Sequence, residues 1–321
     1  MTDGWKDRSA GLVVFGSLQI LLGVAALCVL FGIAAASELQ SRGSGAPPIP
    51  ATGLVTNIVL YAVLAFYFFA VGVGSIRKRR WARALSLVVS SIWLIVGLIA
   101  FVAMMVIFPH LSALLPPSKT GLIVATLSIT FGVAYILIPL ALVLFYRSPH
   151  VKATCDARDP VPRWTDRVPL PILALALLMI FAAISVIGCV AYGVAPIFGV
   201  VLTGAPAVIV LIAIAGLCAY VALQLYRLKR AAWWTLIFID VIGAANAAYT
   251  FAVIDLGKLY EQMGVMTPQL RAMHLTDLYR DPTLWILMGI CWIALFAYVI
   301  WTRRFFDATP PRTRAGDAVV A

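Results

Sequence analysis

Eight apolar runs dominate the chain: residues 11–36, 54–76, 84–108, 121–146, 169–192, 207–225, 233–254 and 283–301, divided by polar or Gly/Pro-rich segments. Each is close to or beyond the roughly 20 residues that a helix needs to cross about 30 Å of hydrocarbon. The pattern predicts an all-α polytopic membrane bundle of eight transmembrane helices. The first run is too long for a secretory signal, whose apolar part spans only about 7–15 residues, so it reads as a span despite the small residues Ala34, Ala35 and Ala36. Pro139 lies inside the fourth run and should bend it, because proline removes one backbone hydrogen bond.

The segments between the runs read as follows. Residues 38–50 form a Ser/Gly/Pro loop, and 109–120 form a loop holding His110 and Lys119. Residues 147–167 are the most polar stretch, where Pro149, Pro160 and Pro162 oppose any long helix. Residues 193–206 are a Gly/Pro-rich connection. In 255–282, the positions 256, 260 and 263, held by Leu, Tyr and Met, recur at helical spacing and predict a short helix lying on the outer face. The tail 307–321, rich in Pro and Arg, reads as disordered and cytoplasmic.

Charge then orients the bundle. Five cations, Arg77, Lys78, Arg79, Arg80 and Arg83, crowd the second connection, and Arg227, Lys229 and Arg230 return in the sixth. Counted by alternate segments, nineteen of the 24 Lys and Arg residues fall on the side of the termini and five on the other. The positive-inside rule places both termini in the cytoplasm, with the two basic clusters against anionic lipid headgroups. Tryptophans 81, 233, 234 and 301 fall near the same interface.

The two clusters also suggest a duplication. Residues 57–80 set over 207–230 place Arg77, Arg79 and Arg80 over Arg227, Lys229 and Arg230. With another offset, Cys28-Val29-Leu30-Phe31-Gly32 matches Cys189-Val190-Ala191-Tyr192-Gly193. The expected organisation is a four-helix repeat over 1–150, a cytoplasmic linker over 151–168 and a second four-helix repeat over 169–306. Four spans per unit make the copies parallel, related by an axis along the membrane normal.

Composition agrees with a lipid environment: 63% of residues are hydrophobic, 12% are charged, and the mean hydropathy is +1.02. In a soluble protein a net charge of +11 would point to nucleic acid, but here the cations sit in short loops beside the spans. No nucleic-acid partner is expected. The five cysteines form no CxxC pair and no histidine cluster accompanies them, so no metal or cofactor is expected. Phosphate-loop, dinucleotide, zincin and nucleophile-elbow motifs are missing, and no catalytic residue is assigned. His150, Cys155 and Asp156 share a loop, which reads as a solvated basic loop rather than a nucleophile with its base.

Polar residues inside the spans remain: Gln19, Asn57, Asp240 and Asn246. Burying them in hydrocarbon is costly, which makes them the candidate intramembrane polar site. Interhelical hydrogen bonding is the plainer role for Gln19 and Asn57.

The opening DRSAGLVVFGSLQILLG (7–23), the basic-Trp cluster and FYRSPHVK (145–152) resemble uncharacterised bacterial multi-pass membrane proteins. The resemblance implies an inner-membrane setting and carries over no functional residue. Two roles lead: a non-enzymatic structural, accessory or sensing component, associating with lipid, a membrane-protein partner or its own copies, or a transporter or channel with a site between the repeats. An enzyme of lipid or envelope chemistry is the third class. A polar cavity at mid-depth would favour transport, clustered His, Asp or Cys would favour an enzyme, and solid apolar packing would favour the component.

Overall fold

The computed structural model describes residues 6–43, 51–112, 117–264, 266, 271 and 282–307. Eight helices are long and apolar enough to cross a membrane, and the architecture is an all-α polytopic bundle. The first four spans are α1 (Ser9–Gly43), α2 (Ala51–Ile76), α3 (Arg80–Ser112) and a composite of α4 (Pro117–Gly132), one π turn (Val133–Leu137) and α5 (Ile138–Arg147). After a short α6 (Pro149–Arg158) and one 3-10 turn (Trp164–Asp166) come α7 (Leu170–Val190), α8 (Ala205–Tyr226), α9 (Arg230–Val253) and α11 (Pro282–Trp301). Between α9 and α11 lies α10 (Leu256–Gln262), and α12 (Arg304–Asp307) closes the described chain.

Several connections differ from the sequence expectation. Helix α1 runs on through Glu38 to Gly43, and α3 runs past Pro109 to Ser112, so both helices extend beyond their apolar runs. Helix formation depends on propensity as well as apolarity, and residues 37–42 hold no breaker before Gly43. The polar segment 147–167 is not all loop, because Pro149 sits in the first turn of α6, where its missing N–H is no loss. The Gly/Pro-rich connection is an antiparallel hairpin of β1 (Val194–Ile197) and β2 (Val200–Thr203). Phe198 and Gly199 supply its two left-handed turn residues, with φ of 43° and 78°. Helix α10 forms where expected, with Leu256 and Leu259 buried and the Asp255 carboxylate accepting from Gly257 N and Lys258 N. His274 and the tail 308–321 lie outside the described residues, as do residues 44–50 of the first loop.

Pro139 is accommodated without an isolated sharp break. The π turn immediately before it widens the backbone, a common way to absorb a lost hydrogen bond. The Tyr135 carbonyl, which Pro139 cannot bond four residues on, lies against Gly97 of α3, where a Cβ would collide with it. Gly97 is therefore required by close backbone approach.

Helix α1 packs chiefly along α2, and α7 chiefly along α8. At the first of these crossings the backbones touch: a Cβ on Gly16 would stand 2.8 Å from Gly72 O, and one on Gly72 would stand 2.7 Å from Gly16 O. Close approach of this kind lets dispersion bind helices that lipid already solvates as well as their neighbours do. Helix α3 packs on α5, and also meets α7 and α11, so it lies where the two halves join. There Ala84 and Val88 of α3 are buried with Val168 and Leu173.

The outer surface is apolar. Phe66 and Leu122 are each 74% exposed, and Phe31, Phe238 and Ile293 also point outward. Water would penalise such a surface, whereas lipid accepts it.

Burial recurs along the chain at an interval of 150 residues. Ala65, Phe68, Val71, Ser75, Ala82, Ser86 and Ser90 are buried, and so are Ala215, Cys218, Val221, Leu225, Ala232, Leu236 and Asp240. The basic turns match at the same interval. Lys78 and Leu228 adopt left-handed φ values of 57° and 53°. Lys78 N donates to Ser75 O and Arg79 N to Gly74 O, both at 2.9 Å. Leu228 N donates to Leu225 O at 2.9 Å and Lys229 N to Gln224 O at 3.0 Å.

Candidate functional site

The polar residues inside the spans do not converge. Gln19 is fully buried at the centre of a network that ties four helices together. The Tyr146 hydroxyl of α5 donates to Ser75 Oγ of α2 at 2.8 Å, and Ser75 Oγ donates to Gln19 Oε1 of α1 at 3.2 Å. Gln19 Nε2 in turn donates to Ser86 Oγ of α3 at 2.9 Å. Tyr146 also lies 3.1 Å from Gln19 Oε1. Each polar group finds a partner inside the protein, as hydrocarbon demands.

Asn246 serves the hairpin. Its Oδ1 accepts the Phe198 N–H at 2.6 Å, and one turn later Thr250 Oγ1 accepts the Gly199 N–H at 3.3 Å. Two side chains spaced i and i+4 on α9 thus hold both turn amides. Asn57 is half-buried near the start of α2. Asp240 is 7% exposed on α9 and makes no hydrogen bond among the described residues.

The basic residues separate into two kinds. Arg77, Arg227, Lys229 and Arg230 are exposed, Arg230 with Asp307 at 3.7 Å, while Lys78 is half-buried. Such surface pairs contribute little. Arg79, Arg80 and Arg83 instead meet the segment from α6 to α7. Asp159, 2% exposed, is bracketed by Arg163 (Nη2 at 2.7 Å, Nε at 3.2 and 3.1 Å), Arg79 Nη1 at 3.4 Å and the Arg80 backbone N–H at 3.4 Å. The Arg163 hydrogen bonds chiefly hold its carboxyl below the usual carboxylate range, against the opposing effect of burial. The first turn of α3 adds the favourable end of its dipole.

Beside this anchor lies a cavity of about 390 Å³, lined by Arg80, Arg83, Lys152, Asp156, Thr165 and Asp166, with an apolar wall of Ala84, Val168, Pro169 and Leu170. Arg80 Nε is 2.9 Å from Asp156 Oδ1 and 3.5 Å from Asp166 Oδ2, but its N–H points along neither line. Arg83 Nε and Thr165 Oγ1 are buried without a hydrogen-bond partner among the described residues. The cavity therefore combines charge, apolar wall and unused donors at the basic end of the bundle.

Cys155 does not belong to it as a reactive group. It is buried among Leu12, Leu142, Tyr146 and Val151, and burial pushes its thiol up to about 11. His150, five residues earlier on α6 and so about 140° around the helix, has its Nδ1 3.4 Å from the Lys6 N–H. Among the described residues no three His, Cys, Asp or Glu side chains gather as metal ligands do.

Sequence reasoning singled out Gln19 and the basic cluster but missed the groups that complete them. Ser75, Ser86 and Tyr146 looked like ordinary span residues, and Asp159, Thr165 and Asp166 like solvated linker. The three aspartates facing a five-cation cluster were the available signal. The tryptophans divide too: Trp234 and Trp301 are exposed, but Trp233 is buried and donates through Nε1 to Val299 O at 2.8 Å. Compared with known proteins, the chain matches no family model, no curated protein and no solved structure.

Proposed function

We propose that this integral membrane protein is a non-enzymatic structural, accessory or sensing component of a bacterial inner membrane, acting at its basic end. The observation that carries the reading is the Gln19–Ser75–Ser86–Tyr146 network. It spends four polar side chains of the first four spans, Gln19, Ser75, Ser86 and Tyr146, on holding helices to one another. The chemistry-bearing side chains gather instead outside the hydrocarbon, around α6 and the first turn of α3. The cation asymmetry supports cytoplasmic termini, and anionic headgroups are the natural partners of the exposed Arg77, Arg227, Lys229 and Arg230.

The 150-residue recurrence of burial and turn geometry supports a tandem duplication over 1–150 and 169–306, with 151–168 joining the copies. The pairing puts Asp240 opposite Ser90, and Leu225 and Leu236 opposite Ser75 and Ser86. The second unit has then replaced the polar knot by apolar packing and carries its acid one turn deeper.

Asp240 favours the second reading, a transporter or channel for a small solute or ion. A carboxyl buried inside a span, with no hydrogen bond among the described residues, is a group whose charge a proton or cation would neutralise. Proteoliposomes enclosing a pH-sensitive dye decide between the two. The component reading expects no proton flux above that of empty vesicles, for wild type and Asp240→Asn alike. A flux that Asp240→Asn abolishes, with the protein still folded, overturns it in favour of transport.

A further inference from the structure

The cavity between α3, α6 and the start of α7 is more than a place where cations meet a membrane surface. Three buried donors border it and none has an acceptor in a usable direction: Arg80 Nε, Arg83 Nε and the Thr165 hydroxyl, whose residue is 1% exposed. Orphaned buried donors are uncommon, because each forfeits the hydrogen bonds it made to water. Here they share one space.

The charges around them are unequally occupied. Asp156 and Asp166 both approach Arg80, and Asp166 Oδ2 additionally accepts the Arg163 N–H at 2.8 Å. Arg83 and Lys152 make no ion pair among the described residues, although both face the cavity, and Arg83 has Cys155, Asp156, Asp166 and Arg80 as its charged or ionisable surroundings. The lining thus holds three cations against two carboxylates that are already directed at Arg80. What the space lacks is an acceptor of several hydrogen bonds that carries negative charge and has little use for donors of its own.

We infer that this cavity is a binding site for a phosphoryl oxyanion, whose oxygens would accept from Arg83, Arg80 and Thr165. Guanidinium groups suit phosphate through their fork of planar N–H donors, and a threonine hydroxyl adds a neutral donor that fixes orientation. The wall of Ala84, Val168, Pro169 and Leu170 suits an apolar substituent beside the phosphate. Arg83 lies three residues into α3, roughly 4.5 Å along it, at the end of a spanning helix, where basic side chains attract anionic headgroups. The shared chemistry is a phosphate mono- or diester, and it can come from a phospholipid headgroup or from free phosphate. The inference deepens the proposal that the protein acts at its basic end, but does not require that end to be cytoplasmic.

The test uses full-length protein in a mild detergent with two radiolabelled probes, inorganic phosphate and phosphatidylglycerol. Arg83→Gln and Thr165→Val are compared with Lys258→Gln, which removes one positive charge from an exposed position on α10. We expect saturable binding weakened about tenfold or more by Arg83→Gln, about threefold to tenfold by Thr165→Val, and not by Lys258→Gln. Saturable phosphate binding displaced by the lipid makes the site one for soluble phosphate as well. Lipid binding that excess phosphate does not displace makes it a headgroup site. Both outcomes uphold the oxyanion chemistry. Thr165→Val is nearly isosteric, so it stands as the deciding variant if Arg83→Gln does not fold. Equal affinity in wild type and Thr165→Val, equal loss in Arg83→Gln and Lys258→Gln, or no saturable binding of either probe overturns the inference. The flux assay on Asp240→Asn reads none of these quantities, so the failure of one proposal is distinct from the failure of the other.

Discussion

Tyr146 shows how one hydroxyl can matter in lipid. Its proton starts the chain of donors that runs through Ser75 and Gln19 to Ser86, and all four residues are buried. Tyr146→Phe leaves Ser75 Oγ short of a donor but keeps the ring that packs edge-on against Phe15 and Phe145. The expected loss is about 1 kcal/mol, modest because helices separated in the membrane find other partners. Gln19→Leu, which strips the network of its hub, should cost about 1–2 kcal/mol. Denaturant titration of the detergent-solubilised protein measures both, and a null result for Gln19→Leu would contradict the network.

Asp159 belongs to the same scale but to water's edge. Its folded carboxyl titrates below the unfolded value of about 3.9, chiefly through the Arg163 hydrogen bonds. Its stabilisation is therefore fully present above that value and disappears as pH falls through the lower folded value. Asp159→Asn should lose about 1–3 kcal/mol at neutral pH, and the difference from wild type should shrink as acid protonates the native carboxyl. Thermal unfolding at pH 7 and pH 3 checks it. Cys155 has the opposite sign: its raised thiol contributes below about 8.5 and loses that contribution as pH climbs towards about 11.

Among the elements, the composite fourth span shows most clearly how a local defect is matched by a neighbour. Pro139 removes a hydrogen bond, the π turn spreads the loss over Val133–Leu137, and the Tyr135 carbonyl is left against the bare backbone of Gly97. Gly97→Ala pushes a methyl into that carbonyl, and backbone cannot swing aside as a side chain can. The variant should be destabilised by about 1–3 kcal/mol even though alanine is the better helix former. Stability equal to or above wild type would show that the helices do not approach this closely. The hairpin follows a similar logic, since its two left-handed residues are held by Asn246 and Thr250 from a helix far along the chain.

For the whole molecule, orientation is the property with the widest consequences. Nineteen cations on one side against five on the other predict that Gln262, exposed at the end of α10, faces away from the cytoplasm. Gln262→Cys on a cysteine-free background should react with an impermeant maleimide in intact cells. Reaction only after the membrane is broken would reverse the topology. Either way α3 lies at the junction of the halves, with Ala84 and Val88 against Val168 and Leu173, and the cavity of about 390 Å³ opens at its end.

The chain's solvent, its eight spans and its two basic turns were legible in the residues themselves. Hydropathy and charge are local sums, and a span needs only enough consecutive apolar residues. The extension of α1 and α3, the π turn and the hairpin were hidden, because each depends on backbone bonding that apolarity does not report. Gln19 was recognisable as a polar residue in lipid, but its partners were not, since Ser75, Ser86 and Tyr146 lie 56, 67 and 127 residues away from it. Asn246 reads from the sequence as a polar residue inside a span, and the structure adds that its side chain accepts from a turn amide of the hairpin. Arg80 and Arg83 were read with Arg227 and Arg230 as equal headgroup contacts, yet only the first two face a built cavity. Sequence alone determined which solvent the helices meet, because that follows from composition over one span. Only the tertiary structure decided which polar groups satisfy one another and which are left open, because that depends on distances between residues far apart in the chain.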